Sequence, residues 1–111
     1  MKWIHLTEDE QLKEIVARSG QKPQVIFKHS TRCSISSVAL RRFQVDTPPE
    51  DIDFYYLDLF AHRNISNKVA DVFKVRHQSP QVLLIKDGKC IYDESHLGIS
   101  LEEILEKVES N

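Results

Sequence analysis

Cys33 stands in the stretch HSTRCSIS, residues 29 to 36, among small hydroxyl residues and directly after an apolar run. A cysteine there is either a working thiol or a small packed residue. The surroundings suit a nucleophile. The first turn of a helix has unpaired backbone N–H groups, and its macrodipole makes it effectively positive. Both favour thiolate over thiol. Lys28, His29 and Arg32 are near in sequence and add positive potential. Ser36 and Ser37 follow on the same helical face, where either hydroxyl could donate to a thiolate. Free cysteines also pack as small hydrophobes, and the local sequence leaves both roles open. Ser79-Pro80 is a second feature of interest, because a proline opening a buried strand needs special backbone geometry and X-Pro is the natural site of a cis bond.

These residues need elements to hold them. Thr7 and Glu10 spell a capping box, followed by Leu12, Ile15 and Val16 at helical spacing, with Gly20 and Pro23 ending that helix. Val25, Ile26 and Phe27 predict a short buried strand. Ile35, Val38, Ala39 and Phe43 predict a helix that starts near Cys33, buries that stripe, and ends before Pro48-Pro49. Residues 52 to 59, IDFYYLDL, predict a strand, and Ile65, Val69, Val72 and Phe73 a third helix. Val82 to Ile85 form another apolar run, and Asp87-Gly88 is a hairpin signal. Ser100 and Glu103 box a last helix with an apolar face of Leu101, Ile104, Leu105 and Val108.

With a short strand near Trp3, the order is strand, helix, strand, helix, strand, helix, hairpin, helix. Strand–helix alternation argues for parallel pairing with crossover helices, and the hairpin adds an antiparallel edge. That is the element order of an α/β, thioredoxin-like fold: a central mixed β-sheet of four to five strands with helices on both faces.

Composition narrows the function. The chain has 111 residues, 41% hydrophobic and 29% charged, which suits a single domain spanning 1–111. A formal net charge of −2 argues against nucleic-acid binding. Phe54, Tyr55 and Tyr56 are accordingly read as packing residues rather than a base-stacking platform. No apolar run approaches the ~20 residues a membrane span needs. The opening MKWIHLTEDE lacks an export signal's apolar core, so a reducing cytoplasmic location is expected.

The cysteines and histidines have no metal-ligand spacing: no CxxC and no HxxxH, so no metal site is expected. Each histidine is read as solvated or packing, with His96 supporting a loop. Cys90 is the obvious second thiol. A two-residue turn at Asp87-Gly88 sets it opposite Ile85, five residues from Pro80 and so roughly 16 Å along the strand. A disulfide needs Cα atoms within ~7 Å, so Cys90 is read as a packing residue and not a resolving thiol.

KHSTRCSIS, SPQVLLIKDGK and Ser95-His96 together resemble the monothiol bacilliredoxins of the YtxJ-like type, from Trp3 to Ile104. That family is thioredoxin-like, bacterial, and acts in the bacillithiol redox system. Where its usual phrase has proline after the cysteine, this chain has Ser34. The resemblance implies a monothiol thiol-disulfide oxidoreductase. Cys33 would attack the mixed disulfide of an S-thiolated client protein and take over bacillithiol or a similar small thiol, and an external thiol would reset it. Thr31, Arg32, Ser34, Ser36, Ser79 and Pro80 would line the substrate site, Ser79 through its backbone. Arg32 or Lys28 would meet the carboxylates of bacillithiol. No cofactor is bound in this reading; the small thiol is a co-substrate, and the chain is read as a monomer. Two other readings stand beside it: a non-catalytic thioredoxin-like adaptor in which Cys33 is only a thiolation site, and a glutaredoxin-like protein that binds a cluster with Cys33 and an external thiol.

Overall fold

A computed structural model describes residues 1–110. Five strands form one sheet in the order β1-β3-β2-β4-β5. They are β1 (Ile4–His5), β2 (Gln24–His29), β3 (Asp53–Asp58), β4 (Gln81–Lys86) and β5 (Lys89–Ser95). β3 runs parallel to β1 and β2, whereas β4 is antiparallel to β2 and β5. The helices are α1 (Glu10–Arg18), α2 (Ser34–Phe43), α3 (Arg63–Phe73) and α4 (Leu101–Ser110). This is the mixed five-stranded sheet with helices on both faces that the element order predicts.

Each central strand sends alternate residues to opposite faces, and the core divides accordingly. Ile26, Tyr55, Leu57, Leu83 and Ile85 pack with Leu12 and Ile15 of α1 and with Ile65, Val69 and Phe73 of α3. Val25, Phe27, Phe54, Val82 and Leu84 pack with Ala39 and Phe43 of α2 and with Leu101 and Ile104 of α4. Trp3 joins the second face, its ring 5.9 Å from Phe27 and 6.1 Å from Phe43. β2 is central and covered on both sides, so every one of its residues is buried, Lys28 and His29 included.

The hairpin closes on Asp87 and Gly88, with φ of 51° and 78°. Two positive φ values in sequence are the type I′ geometry, which Asp-Gly accommodates at little cost. Cys90 pairs with Ile85, as the two-residue turn requires.

Two local expectations fail for identifiable reasons. The Thr7–Glu10 box does not form: α1 begins at Glu10 with Asp9 as its N-cap. The Gln11 amide oxygen instead accepts from the Thr7 and Glu8 N–H groups at 2.8 and 3.0 Å. The Asp9 carboxylate is taken by Lys68 Nζ at 2.7 Å. On α2 the buried face is Ser36, Ala39 and Phe43. Ile35 and Val38 point outward, 48% and 36% exposed. The real stripe includes a serine, which a reading by hydrophobicity passes over.

Candidate active site

The C-terminal ends of β2 and β3 meet the start of β4 and the end of β5 at one edge of the sheet. The register sets His29 beside Asp58, Lys28 beside Gln81, and Gln81 beside Ser95. One step beyond the β4 ladder is Pro80, whose bond to Ser79 is cis. The turn that leaves β2 carries Cys33, whose N–H donates to the Ser30 carbonyl at 3.1 Å. The Leu59 N–H donates to the His29 carbonyl at 2.8 Å, and the His96 N–H to the Pro80 carbonyl at 3.0 Å. Cys33, Ser79-Pro80 and His96 are thus brought to one end of the sheet by main-chain bonds.

Cys33 is the N-cap of α2, in extended backbone at φ −110°, ψ 122°. Its carbonyl accepts the first helical bond, from Ser37 N–H at 3.1 Å. The three N–H groups before Ser37 have no partner one turn back, as at any helix start, and the Cys33 side chain makes no cap bond to them. The thiol is partly exposed, and Thr31, Arg32 and Ser34 around it are exposed.

The remaining residues differ in kind. Arg32 lays its guanidinium over the Phe60 ring, 3.9 Å from the centroid. Such a contact at an exposed site is worth about 0.5–1 kcal/mol and holds the cation over the ring. Ser36 is fully buried. Its Oγ accepts the Ser30 N–H at 2.9 Å and lies 2.7 Å from His29 Nδ1. Burial pushes the His29 ring below its ordinary range, against the pull of the Asp58 carboxylate. Asp58 is itself held, its Oδ1 accepting from Phe60 N–H at 3.0 Å. Ser79 is partly buried and Pro80 buried, beside the turn.

Lys28 is not available to a ligand carboxylate. It has no exposed surface, and strand alternation sends it with Ile26 to the α3 side. There its Nζ lies 3.4 Å from the Ser66 carbonyl and 3.3 Å from His77 Nδ1. Burial pushes the amine down to about 8. Cys90 is also accounted for: its Sγ–H donates to the Tyr92 carbonyl at 3.3 Å, and burial pushes the thiol up to about 11. It sits beside Ile85, at the far end of β4 from Pro80.

Residues 4–104 match the family model of the monothiol bacilliredoxin BrxC. The chain belongs to that family. Among solved structures, an oxidoreductase with a thioredoxin fold is 28% identical at a TM-score of 0.78, covering 96% of this chain and 92% of that one. Thioredoxin from Malassezia sympodialis is 19% identical at 0.74, covering 98% and 90%. Spinach chloroplast thioredoxin f is 14% identical at 0.73, covering 98% and 92%. These last two likenesses show the fold alone. Membership of the bacilliredoxins and the thioredoxin-fold oxidoreductase likeness together give the chain a thiol-redox function.

Three site features escape a reading of the sequence: the His29–Ser36 bond, the Phe60 platform under Arg32, and the inward turn of Lys28. The last had a signal. A lysine inside an apolar run of a strand buried on both faces has nowhere else to go.

Among the described residues, no group of three or more histidine, cysteine or acidic side chains is placed to hold a metal ion, and no helix is long and apolar enough to cross a membrane.

Proposed function

We propose that this chain is a monothiol oxidoreductase that removes bacillithiol, or a similar small thiol, from mixed disulfides on client proteins. The observation that carries the reading is the placement of Cys33. It is a partly exposed N-cap with free helix donors, and the position three residues on holds a buried serine rather than a thiol.

The reaction has two steps. The Cys33 thiolate attacks the small-thiol sulfur of the mixed disulfide in line. A new S–S bond forms between Cys33 and the small thiol as the old one breaks. The client sulfur is reduced, leaves as thiolate and takes up a proton. In the second step an external small thiol, as thiolate, attacks the capped Cys33. Cys33 is reduced and the two small thiols leave joined as a disulfide. Rate depends on the attacking thiol's charge state and access, and the exposed turn supplies the access. Arg32, held over Phe60, is the cation for a carboxylate of the small thiol. Ile35, Phe60 and Leu97, at 48%, 53% and 59% exposure, offer apolar surface to the client.

The test compares release of the cap from a bacillithiol-capped client with the wild-type chain, with Cys33→Ser, and with free bacillithiol alone. Release accelerated by wild type at least ten-fold over both controls supports the reading. Release no faster than with free thiol overturns it and leaves Cys33 as a thiolation site only.

A further inference from the structure

Two buried polar residues direct their side chains to one stretch of chain. Lys28 on β2 and Gln81 on β4 stand opposite each other in the register, and neither has exposed surface. Lys28 Nζ lies 3.3 Å from His77 Nδ1, and Gln81 Nε2 donates to the Arg76 carbonyl at 2.9 Å. Arg76 and His77 belong to residues 74–80, which join α3 to β4 and end in Ser79-Pro80. Among the described residues, His77, Gln78 and Ser79 make no backbone–backbone bond. Side chains rather than a ladder therefore hold this stretch, and Ser66 Oγ, 3.4 Å from His77 Nδ1, is the third of them.

We propose that Lys28 and His77 are positioning residues: their contact holds the stretch that presents Ser79-Pro80 to the substrate, and protonation of His77 releases it. This rests on the proposed function, with the Ser79 backbone lining the substrate site. A neutral His77 ring offers the Nδ1 lone pair to the Lys28 ammonium. A protonated ring has no lone pair there, and it sets a second cation 3.3 Å from the first.

The surroundings fit such a release. The charged groups that bear on His77 are Lys28 from β2 and Arg63 from α3, both cations, while Gln81 on β4 is uncharged. No carboxylate of the described residues stands within ion-pair distance of Lys28 or His77. His77 is exposed, so bulk water can protonate it and the freed ring has solvent to turn into. Burial and the two cations push the ring below its ordinary range, so the contact persists at neutral pH and is lost in acid. The contact also gives the buried ammonium a role. Its burial costs stability, and what it holds is the stretch that leads into the substrate site.

NMR through a pH titration tests the contact without any client. In wild type the Ser79 amide signal is expected to follow the titration of the His77 ring. Lys28→Met removes one cation, and His77 is expected to titrate at higher pH in that variant. His77→Gln keeps an oxygen that accepts from Lys28 but takes up no proton, and its Ser79 signal is expected to lose the dependence. A wild-type Ser79 signal that ignores His77, or equal His77 midpoints with and without the Lys28 cation, overturns the proposal. Cap transfer then reads the positioning. Wild-type KM for a capped client is expected to rise about three- to ten-fold from pH 7.5 to pH 5.5, the weight of one lost hydrogen bond, while His77→Gln stays within about two-fold. Parallel KM profiles overturn the positioning role. Absence of cap transfer at every pH, with Ser79 still following His77, would instead overturn the proposed function alone.

Discussion

Lys28 Nζ stands 3.3 Å from His77 Nδ1 inside the fold, with no carboxylate of the described residues within ion-pair distance. A buried ammonium with only a carbonyl and an imidazole for company is held at a cost. Burial lowers the folded amine from 10.5 to about 8, so between those values the unfolded chain binds more protons. Stability from this group therefore rises with pH across that window, and below it the cost is fully present. Lys28→Met is expected to be more stable than wild type at pH 7, by about 1–3 kcal/mol, and to lose that advantage as pH approaches 10. Urea unfolding of both proteins at several pH values checks it. A variant that is weaker by the same amount throughout would show that the ammonium carries no such cost.

The two cysteines are expected to behave as different chemical species. Cys90 stays a thiol at neutral pH because burial pushes it up to about 11. Iodoacetamide at pH 8 should give the native protein one adduct, on Cys33, and the urea-unfolded protein two, read by peptide mass. Cys90→Ala should lose about 1 kcal/mol for the lost packing and keep cap transfer within about two-fold of wild type.

Ser36 occupies the place that an internal resolving thiol would need. Ser36→Cys is expected to free a small thiol from capped Cys33 with no external thiol added. The product would be an internal disulfide, two hydrogens lighter than the reduced protein by intact mass. Capped Cys33 that persists in this variant would mean that the turn does not let the two sulfurs meet.

Arg32 is expected to act on substrates by charge. Removing it with Arg32→Ala should raise KM about three- to ten-fold for a cap bearing carboxylates, the weight of one partly exposed charge-assisted contact. A mercaptoethanol cap, with no carboxylate, should be unaffected. Phe60→Ala should move KM the same way but less, since it removes the platform and leaves the cation.

Much of this site was legible because a few residues dictate their own surroundings. Asp87-Gly88 admits the positive φ values of a two-residue turn, and that turn sets Cys90 opposite Ile85. HSTRCSIS after an apolar run placed Cys33 at a helix start, where it lies. What escaped depends on partners distant in sequence. Thr7 and Glu10 have the spelling of a box, but the Gln11 amide reached the free N–H groups first. Ile35 and Val38 have helical spacing, yet the face against the sheet belongs to Ser36, because His29 and Ser30 satisfy its hydroxyl there. A bond between a strand's last residue and a helix's first turn leaves no periodic trace. Nor does hydropathy reveal that a lysine is buried; only the central place of β2 does.

The central claim is that Cys33 takes the small thiol away from another protein. Its most direct test is a single-turnover mixture of reduced protein and a bacillithiol-capped client, quenched with acid at intervals and weighed intact. The client is expected to lose the mass of the cap while this chain gains the same mass on Cys33, at matching rates, with Cys33→Ser gaining nothing. A client that keeps its cap, or one that loses it while Cys33 stays unmodified and Cys33→Ser works equally well, would contradict it.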